Sequence, residues 1–410
     1  MIRKPAGIIF RFFAKAALVV FVLPLLYLVE PFHRIRLGLM FTQRIGHLAF
    51  NTDYFIRKQQ YFGAPPRTTF LFFGWDPANK FLFDMFKKHL NVFESRWGTR
   101  LLSAWRPIIK RTRFWESMTC IEPLRYFIMN NTEATLSFTE EEEKRGRELL
   151  SEMGVGEDDW FVCFHARDGK YLRQWRPDQT DTWVKTDFRN SLIESYIPAA
   201  EYISSRGGFA IRMGAIVEKP LPETGNPKII DYASKFRSDF MDIYLCAKCR
   251  FFLSSSSGID YVSTIFDKPI AVGNFFPHTV SYNREFDLVI PRLIKSVEHD
   301  RIVSYPEATG AGFYAAASAG TDSRNYEKKK FRYQLHDADD TLDLCKDMID
   351  RLEGNPLSED SETFQKRYAD EYLSHHAHYQ LLGKVGPRFL SKYKHLIFSD
   401  NFNKEEPSSR

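Results

Sequence analysis

Residues 249–262 read CRFFLSSSSGIDYV. An apolar run through Phe251, Phe252 and Leu253 passes into four serines, Ser254, Ser255, Ser256 and Ser257, then Gly258, then a helical pattern. Strand, short polar loop, helix is the repeating unit of a parallel sheet with helices on its faces. Such a loop aims backbone N–H groups and hydroxyls at an anion, and the positive end of a helix adds attraction. One serine would suffice to cap the helix. Four in succession point to phosphate, with Ser254–Ser257 and Gly258 as the binding candidates.

A second stretch has the same grammar. In FVCFHARDGKYL, residues 161–172, an apolar strand delivers His165, Arg167 and Asp168 to its C-terminal end. In a parallel sheet that edge lines the ligand crevice. Arg167 can grip a phosphate with two parallel hydrogen bonds. Asp168 can orient it or accept a proton. A structural ion pair at the strand end is the alternative. Between the two stretches lies AIRMG, residues 210–214, which sets Arg212 in a strand and uses Gly214 for a tight exit; Arg212 would join Arg167 and the serine loop in stabilising a departing diphosphate, with an edge-strand arginine as the alternative. IIDYASKFRSDFMDIYL, residues 229–245, ends a strand at Asp231, a candidate for reading a base or ribose. Asp239 and Asp242 read as helix capping and a solvated helix face.

The strand–loop–helix rhythm extends in both directions. Strands are expected at 35–41, 68–73, 160–164, 209–213, 228–231, 250–253 and 269–272. Helices are expected at 78–90, 99–111, 188–205, 239–249 and 258–266. Thr139 and Glu142 form a capping box at the start of a helix that stops at Gly154. The expected organisation is a membrane anchor over 1–33, an α/β acceptor-side domain over 34–153, a second α/β domain over 154–300, and a C-terminal extension over 301–410. That extension carries helices at 337–352 and 360–377 and a frayed end, KEEPSSR. In RIGHL, residues 44–48, Gly46 permits a close turn and sets His47 toward the crevice between the two halves. An unperturbed histidine titrates near 6.5, so His47 suits a general base for an acceptor hydroxyl. A buried histidine or an acceptor-binding contact are its other readings.

The chain has 410 residues, 44% of them hydrophobic and 15% aromatic, which excludes global disorder. Its net charge of +5 fits anionic partners such as sugar nucleotides or phospholipid headgroups. No nucleic-acid motif accompanies that charge, so no nucleic acid is expected. Five cysteines, an odd and sparse set, argue against a disulfide framework and for a reducing compartment. Cys246 and Cys249 read as a buried structural pair. HExxH, GxxxxGK[ST], GxSxG and GxGxxG are all absent, and neither Asp158-Asp159 nor Asp337–Asp340 reads as a metal-binding pair. Neither a metal nor a cofactor is expected. Residues 16–29, AALVVFVLPLLYLV, form an unbroken apolar run. A monotopic anchor and a single span both fit it, with residues 1–15 alternating basic and bulky apolar side chains. A cleaved signal peptide lacks its small-x-small site.

From about Ile35 to Phe313 the chain resembles a family of bacterial glycosyltransferases from surface-polysaccharide gene clusters. The resemblance rests on RLGLMFTQRIGHLAFNTD, FHARDGKYL, IRMG, DFMDIYLCAKCRFFLSSSSGID and DLVIPRLIKS, in that order. More distantly, HARDGKY is similar to the HxRxGDY signature of α-1,2-fucosyltransferases and the HxRxxD of protein O-fucosyltransferases. That resemblance implies a GT-B fold: two Rossmann-type domains facing a cleft. It also implies an inverting, metal-independent transfer. The family's phosphate-binding arginine would fall on Arg167 and its late serine contacts within Ser254–Ser257. Here Asp168 precedes Gly169, reversing the signature's Gly-Asp order, so UDP-linked donors stay open beside GDP-linked ones. The expected activity moves a sugar from a nucleotide-sugar donor to a glycan or lipid-linked acceptor at the cytoplasmic face of the bacterial inner membrane. A non-catalytic membrane scaffold retaining the fold is the competing reading.

Overall fold

The computed structural model describes residues 12–122, 124–175, 177–179, 187–275, 284–311, 330–374, 380 and 382–398. Most of the basic–apolar segment 1–15, the end of the 360–377 helix and the KEEPSSR tail lie outside these. The chain divides into two compact units, Met1–Ser137 and Phe138–Arg410.

The first unit holds a three-stranded parallel sheet, β1 (Arg34–Leu39), β2 (Thr68–Gly74) and β3 (Val92–Glu94), in that spatial order. The apolar N-terminal helix, Phe12–Val29, packs on this unit. Its Leu18 and Leu26 share a cluster with Leu37 of β1, Phe114, and Leu102 and Ile109 of the Arg96–Ile109 helix. Trp105 ties the two helices by donating to the Ala14 carbonyl at 2.7 Å.

The second unit is built on a seven-stranded sheet. Its strands are β4 (Phe161–His165), β5 (Phe209–Arg212), β6 (Ile229–Ile230), β7 (Phe252–Ser254), β8 (Ile270–Phe275), β9 (Leu288–Pro291) and β13 (Lys384–Val385). All neighbours are parallel, in the order β13-β9-β8-β7-β4-β5-β6. Without β13 this is the doubly wound 3-2-1-4-5-6 order. The first four residues of β4 and all of β7 and β8 are buried, as strands covered on both faces require. A smaller antiparallel sheet joins β10 (Leu293–Ser296) to β11 (Arg301–Ile302) and β12 (Phe331–Gln334).

Two boundaries differ from those read in the sequence. The capped helix Glu140–Glu152 falls within the second unit rather than with residues 34–153. Its Gly146 explains why: a Cβ there would stand 2.2 Å from the Tyr244 ring, so glycine lets the helix seat directly on the Asp239–Lys248 helix. Residues beyond 300 are likewise part of the second unit's architecture. The Ala338–Leu352 helix buries Leu344, Cys345, Met348 and Ile349, and β13 extends the main sheet.

Candidate functional site

In this sheet the connections from β4 and from β7 run to opposite sides. The crevice beyond their C-terminal ends is therefore the topological switch point, where doubly wound sheets bind ligands. The two motifs meet there residue by residue. His165 is the ladder partner of Ser254, and Phe164 pairs with both Leu253 and Arg212. The Arg167 N–H donates to Ser255 Oγ at 2.8 Å, locking the HARD loop to the serine loop.

The four serines have different fates. Ser254 and Ser255 are fully buried, and Ser257 nearly so. Asp260, buried at the start of the Asp260–Ile265 helix, organises them. Its Oδ2 accepts from Ser254 Oγ at 2.9 Å and from Ser257 N–H at 3.0 Å. The Ser257 hydroxyl accepts from the Ile259 N–H at 3.4 Å, so this serine is taken up by the turn ahead of the helix. Ser255 also lies beside the buried Tyr196 hydroxyl. Ser256 is half-buried at the tip with φ +58°, a left-handed conformation uncommon outside glycine. Gly258 is exposed. Strain of this kind concentrates at ligand clamps.

Three arginines stand within electrostatic reach of one another here, two of which the sequence reading did not single out. Arg167 donates through Nη1 to the Asn190 amide oxygen. Arg189 donates through Nη2 to the Ser256 carbonyl at 2.8 Å and forms no ion pair among the described residues. Arg292 is 2% exposed. Its Nε donates to the Asn274 carbonyl at 3.3 Å, and its guanidinium stands over the Tyr333 ring. Burial first, and then the neighbouring charges of Arg189 and Arg167, pull the Arg292 pKa down to about 10. Like charges gathered in a part-buried crevice are chemically suited to an anion.

The remaining candidates are placed as follows. His165 is half-buried and donates from Nδ1 to the Met213 carbonyl at 2.9 Å, since a carbonyl can only accept. That fixes the neutral tautomer with its lone pair on Nε2. Burial holds its pKa below the ordinary value. Asp168 is occupied by backbone donors: Oδ1 accepts from Lys170 N–H at 2.9 Å and Oδ2 from Glu218 N–H at 3.1 Å. It closes the turn that enters the Lys170–Trp175 helix and pins the loop after β5. Arg212 and Asp231 are brought together as a buried ion pair at 3.2 Å, and Asp231 also accepts from Leu221 N–H. Gly214 has φ +152°, and a Cβ would lie 2.6 Å from Val217, so the tight exit is built there. Asp242 is a correction: it lies buried rather than on a solvated face. It accepts from the Tyr232 hydroxyl at 2.9 Å, and burial pushes its pKa up to about 6. Cys246 and Cys249 are buried thiols.

His47 belongs to the first unit. It opens the π-turn His47–Asn51 beyond the C-terminal end of β1, exposed and 5.8 Å from the Phe41 ring. Partial desolvation there and the charge of Arg44 hold its pKa below the ordinary value, against a hydrogen bond to Asn51 that favours the protonated ring.

Arg292 was within sight in DLVIPRLIKS, but its apolar surroundings read as strand. Arg189 and Asn190 carried no local signal, because only the fold returns the β4–β5 connection to the serine loop.

No family model matches the chain, and neither does any curated protein. Among solved structures it is similar to a family 9 glycosyl transferase from Veillonella parvula DSM 2008, at 12% identity and TM-score 0.38, covering 59% of this chain and 81% of that one. A similar likeness links it to the ADP-heptose LPS heptosyltransferase II of E. coli, at 9% identity and TM-score 0.39, covering 59% and 86%. The E. coli heptosyltransferase WaaC with ADP gives 12% identity and TM-score 0.34, covering 63% and 91%. Likenesses at this level leave the functional reading to the chain's own residues.

Proposed function

We propose that the chain is a glycosyltransferase of surface-polysaccharide synthesis that holds the diphosphate of a nucleotide-sugar donor in the crevice beyond β4 and β7. One observation carries this reading: Arg167 and Arg189 hydrogen-bond a serine loop at the switch point of a doubly wound sheet, with Arg292 within electrostatic reach of both. When the sugar leaves, the bond from its anomeric carbon to the diphosphate breaks, and negative charge grows on the departing oxygens. Fixed guanidinium groups in a part-buried site stabilise that charge without reorganising. Ser256 is the serine best placed to touch the donor. Its three neighbours, with Asp168, Arg212 and Asp231, shape the crevice rather than line it.

An acceptor hydroxyl attacking the opposite face inverts the anomeric centre and gives up its proton. His47 is the proposed base, because its depressed pKa leaves it neutral at pH 7. That role requires a GT-B arrangement, with the first unit facing the crevice. GDP- and UDP-linked sugars are the proposed donors, and a glycan or lipid-linked acceptor at the cytoplasmic face of the inner membrane completes the proposal.

The test is calorimetric titration of the full chain with GDP, UDP and ADP. ADP belongs in the panel because it is named with one of the similar structures. One diphosphate should bind, and Arg189→Ala should weaken it about 10-fold or more, the worth of a charge-assisted hydrogen bond, without moving the melting temperature. If none of the three binds, the proposal fails. If one binds but no donor sugar is released, the scaffold reading takes its place.

A further inference from the structure

We infer that the first unit carries a built site for the phosphate of an anionic membrane phospholipid, in a cavity of about 370 Å³ lined by Arg34, Arg67 and Arg113. This inference stands independently of sugar transfer. The cavity opens where the apolar helix ends, with Tyr27 and Phe32 on its wall. A tyrosine, with its apolar ring and polar tip, settles at the membrane–water interface.

The helix packing sets the depth. Ala14, Leu18 and Leu26 of the Phe12–Val29 helix face the protein, spaced in multiples of four. Phe13, Val20, Phe21, Leu25 and Leu28 face outward. Its partner, the Arg96–Ile109 helix, presents Arg96, Arg100 and Arg106 at the surface. Exposed guanidinium groups do not sit in hydrocarbon. A packed pair with one apolar face and one basic face therefore lies along the headgroup boundary, with the outward apolar residues dipping below it. The arginine cavity then sits at phosphate level.

The charge balance of the cavity is one-sided. Its one carboxylate, Glu30, is held by both arms of Arg36, each at 3.0 Å. Arg34, Arg67 and Arg113 form no ion pair among the described residues. Their planar forks suit a phosphate. Arg67 also carries φ +51°, and its carbonyl accepts from the Arg34 N–H at 2.7 Å, which holds the two residues together. A bulky residue kept in this region by its neighbours is the kind of strain found at ligand clamps. The volume lies in the range of small-molecule sites.

The experiment is flotation of the full chain with vesicles of phosphatidylcholine alone and with added phosphatidylglycerol. Binding should require phosphatidylglycerol. The triple variant R34Q/R67Q/R113Q should weaken it well beyond about 100-fold, the loss that diffuse attraction alone, at roughly 5-fold per arginine at a membrane surface, would give. The triple R96Q/R100Q/R106Q removes equal charge outside the cavity and should cost far less. Equal losses from the two triples would mean diffuse attraction and overturn the built site. Equal binding to the two vesicle types, or displacement by millimolar inorganic phosphate, would overturn the lipid assignment. If the cavity triple does not fold, R113Q is compared with R106Q: R113Q should lose clearly more than the roughly 5-fold of diffuse attraction, and equal losses from the two would overturn the built site.

Discussion

His336 shows how a residue with no part in chemistry can decide the state of the site. It is buried and neutral: Nδ1 accepts from the Asn274 N–H at 3.1 Å and Nε2 donates to the Pro291 carbonyl at 3.0 Å. Asn274, at φ +50°, reaches Ser191 beside Asn190 and gives its carbonyl to Arg292. Burial pulls the His336 pKa down to about 4 from its ordinary 6.5. A base with a depressed native pKa stabilises the fold fully above pH 6.5. That stability is lost as pH falls toward 4, because the unfolded chain takes up the proton first. The native protein should lose roughly 2–3 kcal/mol from this group between pH 7 and pH 4.5. His336→Leu should be less stable at pH 7 yet lack that increment. Urea unfolding of both proteins at the two pH values measures it, and parallel slopes would refute it.

At the scale of elements, the capping box of the Glu140–Glu152 helix is the cleanest case of a local rule obeyed. Thr139 Oγ1 accepts from Glu142 N–H, and Glu142 Oε2 accepts from Thr139 N–H. Thr139→Ala should cost about 1 kcal/mol and Thr139→Ser nearly nothing, read by chemical denaturation. The same local rules made much of the fold legible. The strands expected over 160–164, 209–213, 250–253 and 269–272 each match a strand of the main sheet to within a few residues, because continuous apolar runs bounded by turn residues leave little choice. What local patterns do not contain is partnership. β6 and β13 are two-residue strands that exist through the neighbours they pair with. Four serines in a row read as one anion site, yet Asp260, one turn away, claims two of them. Arg212 looked like a phosphate grip because Asp231, nineteen residues on, could not be seen beside it. Arg189 was invisible for the opposite reason: its nearest meaningful neighbour in space, Ser256, is distant in sequence.

At the scale of the molecule, the apolar helix is both surface and structure. Removing Phe12–Val29 to obtain a soluble protein would uncover Leu37, Leu102, Ile109 and Phe114, the residues Leu18 and Leu26 cover. Each buried large side chain is worth roughly 1.5–3 kcal/mol. The truncated chain should therefore melt lower and self-associate, as size-exclusion chromatography with and without detergent would show. A monomeric truncation with an unchanged melting temperature would contradict the packing described.

The last strand of the main sheet carries a consequence in time. β4 begins at Phe161, but β9 receives its outer neighbour only when Lys384 and Val385 arrive. Synthesis proceeds at about 5–20 residues per second, so β9 waits on the ribosome for roughly 5–20 seconds as an uncovered strand edge. Unpaired edges recruit other chains. The apolar helix emerges long before, so a nascent chain already settled on a bilayer would wait out that interval apart from its siblings. Membrane attachment would then act as the protein's own safeguard during folding, before any substrate is met.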